Sequence, residues 1–200
     1  MGHTVPLYAS STDFSAAFWA GYAAWIAMEM WIMSRDRRAA AGKRRDAGTL
    51  FVFLLVFGPG VALAFAAAWA VPDGRIPLAP APLFWTGIAL VWAGVALRLW
   101  AVLTLGKFFR VTVFVHDDHR LVTAGPYRWL RHPSYTGALV TVIGVTLAMG
   151  NWVSVLIGVG ALLIAYAFRI PAEEKALGEQ FGAAFAEYRK HRSALIPGVW

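Results

Sequence analysis

Cysteine is absent from the 200-residue chain. That excludes disulfides, thiolate zinc sites, iron–sulfur clusters and a cysteine nucleophile, and it leaves the redox compartment open. Charge is scarce as well. Only 14% of residues are charged, against about 25% in a typical soluble domain. With 59% hydrophobic residues, this excludes an ordinary soluble globule and a disordered chain. Negative charge is the scarcer sign, with eleven acidic residues against eighteen Lys and Arg and a net charge of +7. In so apolar a chain, excess positive charge points to cytoplasmic loops and anionic lipid headgroups rather than to nucleic acid. There is no internal repeat at a solenoid period and no low-complexity linker.

What is present is hydrophobic sequence in blocks of membrane-spanning length. Residues 14–33 are apolar except for Glu29. No Lys or Arg precedes them, as a signal peptide would require, so a retained transmembrane helix is expected. Residues 49–71 are uncharged and carry Gly58-Pro59-Gly60, which should kink the helix. Residues 83–105 are interrupted only by Arg98. From Ser134 to Phe168 there is no charge at all. As one helix that run would measure about 52 Å, against a hydrocarbon core of about 30 Å. It must turn, and Gly150-Asn151 is the turn signal. Two short antiparallel helices, 134–149 and 151–168, fit better.

The basic residues set the orientation. Segments 34–48, 106–133 and 169–200 hold sixteen of the eighteen Lys and Arg. Five spans put all three segments on the cytoplasmic side, with the N-terminus outside. Abundant alanine and glycine allow close helix packing and are equally explained by a GC-rich genome. The composition suggests a bacterial inner membrane.

Two clusters carry the candidate chemistry. In the first, Pro133 suits the opening position of the fourth helix, and His132 before it is biased away from helical geometry. A rigid loop would thus deliver Arg131 and His132 to a helix N-terminus, where an anionic group is stabilised. Tyr127, Trp129 and Tyr135 offer flat faces for a purine. A plain helix cap with interfacial aromatics explains the same spacing about as well. The second cluster is Arg169, Glu173 and Glu174 around Pro171. Arg169 and Glu173 share a face if the helix continues through the proline. Leu177, Phe181, Phe185 and Tyr188 then form the apolar stripe of an amphipathic helix that lies on the membrane or covers the loop. The hairpin must return the second cluster beside the first. His116, Asp117 and Asp118 lack the spacing of a metal site, so no metal is expected. Glu29 and Arg98, both inside spans, could mark a polar pathway or pair with each other.

The run Gly125-Pro126-Tyr127-Arg128, then Arg131-His132-Pro133-Ser134-Tyr135-Thr136-Gly137, a hydrophobic hairpin, Glu173-Glu174, Phe181-Gly182, Tyr188 and Ile196-Pro197-Gly198 resembles the isoprenylcysteine carboxyl methyltransferase family. That family belongs to a wider group of integral-membrane methyltransferases that includes phospholipid methyltransferases. The resemblance covers roughly residues 106–200. It implies an S-adenosylmethionine pocket capped from the cytosol, with a lateral opening for a lipophilic substrate. It implies that His119, Arg120, Leu121 and Val122 line the cofactor together with Tyr127, His132, Pro133, Ser134 and Tyr135. Glu173 would hold a polar group of the cofactor, and Arg169 would face the substrate. Arg131, Arg169 and Glu174 are the candidate catalytic residues, with Glu174 or His132 as base should the acceptor be an amine.

The expectation is therefore an all-α integral membrane protein. It has five transmembrane helices, a C-terminal helical hairpin and an amphipathic cytosolic tail. Residues 1–105 supply three N-terminal spans, and residues 106–200 the cofactor-binding region. The expected activity is methyl transfer to a lipophilic or amphiphilic carboxylate, amine or thiol entering from the bilayer. A membrane reductase using a nicotinamide cofactor is a second reading. A non-enzymatic transport subunit is a third.

Overall fold

Six α-helices account for most of the residues described by the structure, a computed structural model covering residues 5–38, 48–109 and 121–198. They are α1 (Thr12–Arg38), α2 (Thr49–Ala70), α3 (Pro80–Leu105), α4 (Pro133–Ala148), α5 (Trp152–Phe181) and α6 (Ala183–Lys190). Among the described residues there is no strand, only two isolated bridges, Arg75 with Asn151 and Leu130 with Ser193. By length and composition, α2, α3 and α5 are each able to cross a membrane, and α4 is a shorter apolar helix. At sixteen residues, α4 is about 24 Å long.

Helices α3 and α4 pair closely, as do α2 and α5, and α1 lies against α3. The α3–α4 seam explains part of the glycine content. A methyl group added at Gly87 would strike the backbone of Gly144 and Ala148, and one at Gly94 the backbone of Gly137 and Thr141. Gly137 and Gly144 are equally blocked by α3. The two glycines of each helix are seven residues apart, so they fall on one face and let the backbones touch. Such close approach suits helices packed in lipid, where apolar side chains gain little by leaving the tails. The Gly58-Pro59-Gly60 triplet serves the other pair. Pro59 sits inside a continuous α2, and a methyl at Gly60 would run into Ala161 of α5.

The hairpin turns where the sequence signals it. Gly150 takes a positive φ of 76°. The Asn151 side chain caps α5 by accepting from the backbone N–H of Val153 at 2.9 Å and of Ser154 at 3.2 Å. Its amide also donates to the Val71 carbonyl at 2.7 Å, tying the end of α2 to the start of α5.

Two expectations are corrected. Helix α5 does not stop at Phe168. It continues through Pro171 to Phe181, about 45 Å in all. Pro171 is exposed on this extension, where the carbonyl it leaves unpaired lies outside the packed interior. The apolar stripe from Leu177 to Tyr188 is not one helix either. Gly182 adopts φ 50° and separates α5 from α6, because the chain must turn back to bury Phe185 and Tyr188.

Candidate active site

The site forms where the first turn of α4 meets the charged extension of α5. Gly125, at φ 56°, opens a single 3₁₀ turn over Gly125–Arg128. The chain then reaches His132, the residue before α4, and Pro133 takes the first helical position. The expected delivery of Arg131 and His132 to a helix N-terminus is what the backbone does.

Glu173 and Glu174 point to different partners. Glu174 Oε1 accepts from Arg131 Nε at 2.8 Å and lies 3.1 Å from His132 Nε2, while Oε2 is 3.4 Å from Arg189 Nε. Glu173 Oε2 accepts from the Tyr135 hydroxyl at 2.6 Å. Its Oε1 is 3.9 Å from His132 Nδ1, beyond hydrogen-bond range, and its side chain is 32% exposed. The Tyr135 hydroxyl also accepts from Arg169 Nε at 2.8 Å. The Tyr135 ring stacks on His132, with centroids 5.5 Å apart, and lies 4.8 Å from Tyr166. Arg169, His132 and Glu174 are all buried. The sequence clusters therefore meet, with Tyr135 at the junction.

A tail segment missed by sequence reasoning holds this arrangement. The backbone N–H of Arg131 donates to Ser193 at 2.9 Å, and that of His132 to Ala194 at 3.0 Å. The Thr136 hydroxyl donates to Leu195 at 2.7 Å, and Arg131 Nη1 also donates to the Arg192 carbonyl. The Tyr188 hydroxyl donates to the carbonyls of Tyr127 at 2.7 Å and Leu130 at 3.2 Å. Burial pushes this phenol up to about 12, so it stays a donor at neutral pH. The available signal was the apolar stripe containing Tyr188, which allowed a cover over the loop but pointed to none of the strap residues 192–195. Beside the clamp lies a cleft of about 550 Å³ lined by Glu174, Phe185, Arg189 and Lys190, among others.

Other expected residues fall elsewhere. Ser134 turns away from Glu173 and accepts through Oγ from Arg98 Nη1 at 3.0 Å. Tyr127 is buried. The Trp129 ring is occupied by the Arg128 guanidinium, 3.8 Å from its centroid. Tyr127 thus presents no open face to a purine, while Trp129 remains 49% exposed. Leu121 and Val122 are half-buried at the start of the loop. His119 and Arg120, and the polar stretch His116–Asp118, lie outside the described residues. Glu29 and Arg98 pair with each other, Nη2 donating to Oε2 at 2.7 Å.

Long apolar helices carrying a buried cluster of carboxylates, guanidinium, imidazole and tyrosine at one end define a membrane protein with a built polar site. Residues 87–179 match the model of the isoprenylcysteine carboxyl methyltransferase family. Through that region the chain is similar to this family. A probable protein-S-isoprenylcysteine O-methyltransferase of Oryza sativa subsp. indica is 33% identical over 117 residues, 58% of this chain and 61% of the relative. The Saccharomyces cerevisiae protein-S-isoprenylcysteine O-methyltransferase is 38% identical over 115 residues, 56% of this chain and 48% of that one. Among solved structures, a eukaryotic intramembrane Ras methyltransferase, isoprenylcysteine carboxyl methyltransferase, superposes with TM-score 0.59 at 27% identity, covering 74% of this chain and 52% of the other. The chain thus spans about half to three fifths of the length of these relatives.

Proposed function

We propose that the protein is an S-adenosylmethionine-dependent methyltransferase acting on a lipophilic or amphiphilic acceptor at the membrane. The observation that carries this reading is the convergence of Glu173 with His132 and Tyr135 at the start of α4. Glu173 fits the methyl donor. One of its oxygens is held by Tyr135, and the other keeps acceptor capacity for an ammonium or ribose hydroxyls. Glu173, His132 and Tyr135 would hold the cofactor, with Leu121, Val122 and Pro133 contributing from the same loop and His119 and Arg120 from the sequence motif. When bound, the cofactor supplies an electrophilic methyl group on a sulfonium centre.

The chain's own residues then align the reactants and exclude water, which is most of what a displacement of this kind needs. Arg169, fixed through Tyr135, is placed to orient the acceptor's polar group. Arg131 and Glu174 serve as a clamp, because their polar atoms are committed to each other, His132 and the tail. Both candidate bases, His132 and Glu174, thus engage one another. That favours an acceptor needing no base, a carboxylate or thiolate, over an amine. The relatives' names, O-methyltransferases of isoprenylcysteine, describe carboxylate chemistry.

The same reading has five crossings, the N-terminus outside and the site on the cytoplasmic face of a bacterial inner membrane. Residues 1–105 form the supporting spans, and 106–200 the methyltransferase region. The test is calorimetric binding of S-adenosylhomocysteine, with labelled cofactor added to membranes and to an N-acetyl prenylcysteine. Micromolar binding and label in the lipid phase are expected, and no binding by folded protein refutes the reading. In this cysteine-free chain, Asp73→Cys should label from outside and Glu187→Cys from the cytoplasm. The reverse pattern overturns the orientation.

A further inference from the structure

The α3 residue Arg98 has more partners than charge neutralisation requires. A lone arginine within a span is costly, and one carboxylate in contact removes most of that cost. Glu29 of α1 supplies it. Nη2 donates to Oε2 at 2.7 Å, and Nε lies 2.6 Å from Oε1 as a charge contact off the N–H axis. Trp25 Nε1 donates to the same carboxylate at 3.2 Å, which fixes it from a second direction. Yet the remaining arm of Arg98 reaches a third helix. Nη1 donates to the Ser134 carbonyl at 3.1 Å and to its Oγ at 3.0 Å.

Those acceptors stand in the first turn of α4, one residue before Tyr135. That turn keeps its own backbone bonds from Tyr135 and Thr136 to the His132 carbonyl, but no side chain caps its N-terminus. It is held from outside, by the tail strap on one side and by Arg98 on the other. The α3 backbone beside Arg98 is also pressed against Gly137, so the guanidinium reaches Ser134 from a fixed base. Direct packing of α1 on α4 is slight. The chain of contacts Glu29–Arg98–Ser134 is therefore a rigid polar link from the N-terminal helices to the turn that aims Tyr135 at Glu173 and Arg169.

We propose that Arg98 is a positioning residue for the methyl-transfer site, with Glu29 as the group that orients it. The proposal rests on the methyltransferase reading for its activity readout, and it is chosen to be testable without it. Lysine at position 98 keeps the charge for Glu29, but a single ammonium cannot span both the carboxylate and Ser134 as the planar fork does. Arg98→Lys should therefore keep membrane insertion and nearly all thermal stability. S-adenosylhomocysteine affinity should fall about tenfold and turnover at saturating cofactor by at least as much.

Two further variants separate positioning from mere neutralisation. The exchange Glu29→Arg with Arg98→Glu restores a neutral pair but offers no donor to the Ser134 carbonyl. It should recover stability over either single reversal and should not recover cofactor affinity. Gly87→Ala, at the far end of the same α3–α4 seam, lowers stability without touching this link. Its affinity per degree of lost melting temperature should be far better kept. Affinity within twofold of wild type in Arg98→Lys, or recovered affinity in the exchanged pair, overturns the proposal.

Hydrogen exchange supplies the readout independent of activity. Arg98→Lys should speed exchange in residues 134–138 and leave 144–148 unchanged. If the wild type binds no S-adenosylhomocysteine, the methyltransferase reading fails alone. The positioning link still stands on faster exchange at 134–138, and it falls if exchange there is unchanged.

Discussion

Tyr135→Phe removes one oxygen atom and leaves the ring in place between His132 and Tyr166. That oxygen donates to Glu173 at 2.6 Å and accepts from Arg169 at 2.8 Å, so its loss separates the cofactor side of the site from the acceptor side. A hydrogen bond to a charged group contributes about 1.5–3 kcal/mol. Glu173 is 32% exposed, and water competes for it, so about 1–1.5 kcal/mol applies here. Without the hydroxyl, Glu173 must be ordered when the cofactor binds. S-adenosylhomocysteine affinity should weaken about 5- to 12-fold, and turnover should weaken further because Arg169 also loses its tether. Calorimetry on purified protein reads the first effect, and single-turnover methyl transfer reads the second. An affinity loss below twofold in a folded Tyr135→Phe protein would show that the Tyr135–Glu173 bond is structural ornament, and would remove Glu173 from the cofactor assignment.

Three other substitutions probe the remaining parts. Arg169→Lys should keep cofactor affinity within a few-fold while turnover falls on the order of 100-fold, and near-normal turnover would make Arg169 a plain anchor. Glu174→Gln leaves Arg131 and His132 facing a neutral amide in a buried place, so it should cost about 3–5 kcal/mol and make residues 182–198 sensitive to protease; a stable, protease-resistant variant would dissolve the clamp. The Tyr188 phenol titrates near 12 in the folded protein against 10.0 unfolded. The native state then holds more protons between those values, so the strap's stability should fall as pH rises from 10 to 12, and Tyr188→Phe should abolish that loss.

How much of this was legible in the sequence follows from what each signal constrains. The uncharged run 134–168 exceeds a bilayer's thickness as one helix, and so a turn at Gly150-Asn151 could be read directly; the same residues cap and bend the chain there. The Pro133 start of α4 was legible because proline is favoured at the first position of a helix. Pro171 left the end of α5 open, since its local preference is to end a helix, and the α5 extension that carries it is held by contacts made far away. The stripe from Leu177 to Tyr188 has helical spacing on both sides of Gly182. Spacing alone could not reveal a residue at positive φ between two helices.

The two glutamates show where sequence reading stops. As neighbours they look interchangeable, and only the family resemblance orders their roles. On a helix, adjacent residues point about 100° apart. That rotation turns Glu174 toward Arg131, His132 and Arg189, and Glu173 toward Tyr135. One carboxylate is surrounded by donors from two segments, the loop before α4 and α6, and is buried, so its capacity is used up in holding the loop, α5 and α6 together. The other, among the described residues, accepts from Tyr135 and has a third of its surface open, so it is the better placed of the two to receive a ligand. The partition depends on how α4 sits against α5, and the site end of α4 is placed by the contact of Gly94 and Gly137 with α3 on one side and by the hairpin at Asn151 on the other. Roles so assigned are properties of the packing. A change at Gly137 that shifts the site end of the α3–α4 seam, with no charge altered, should redistribute the donors between the two carboxylates.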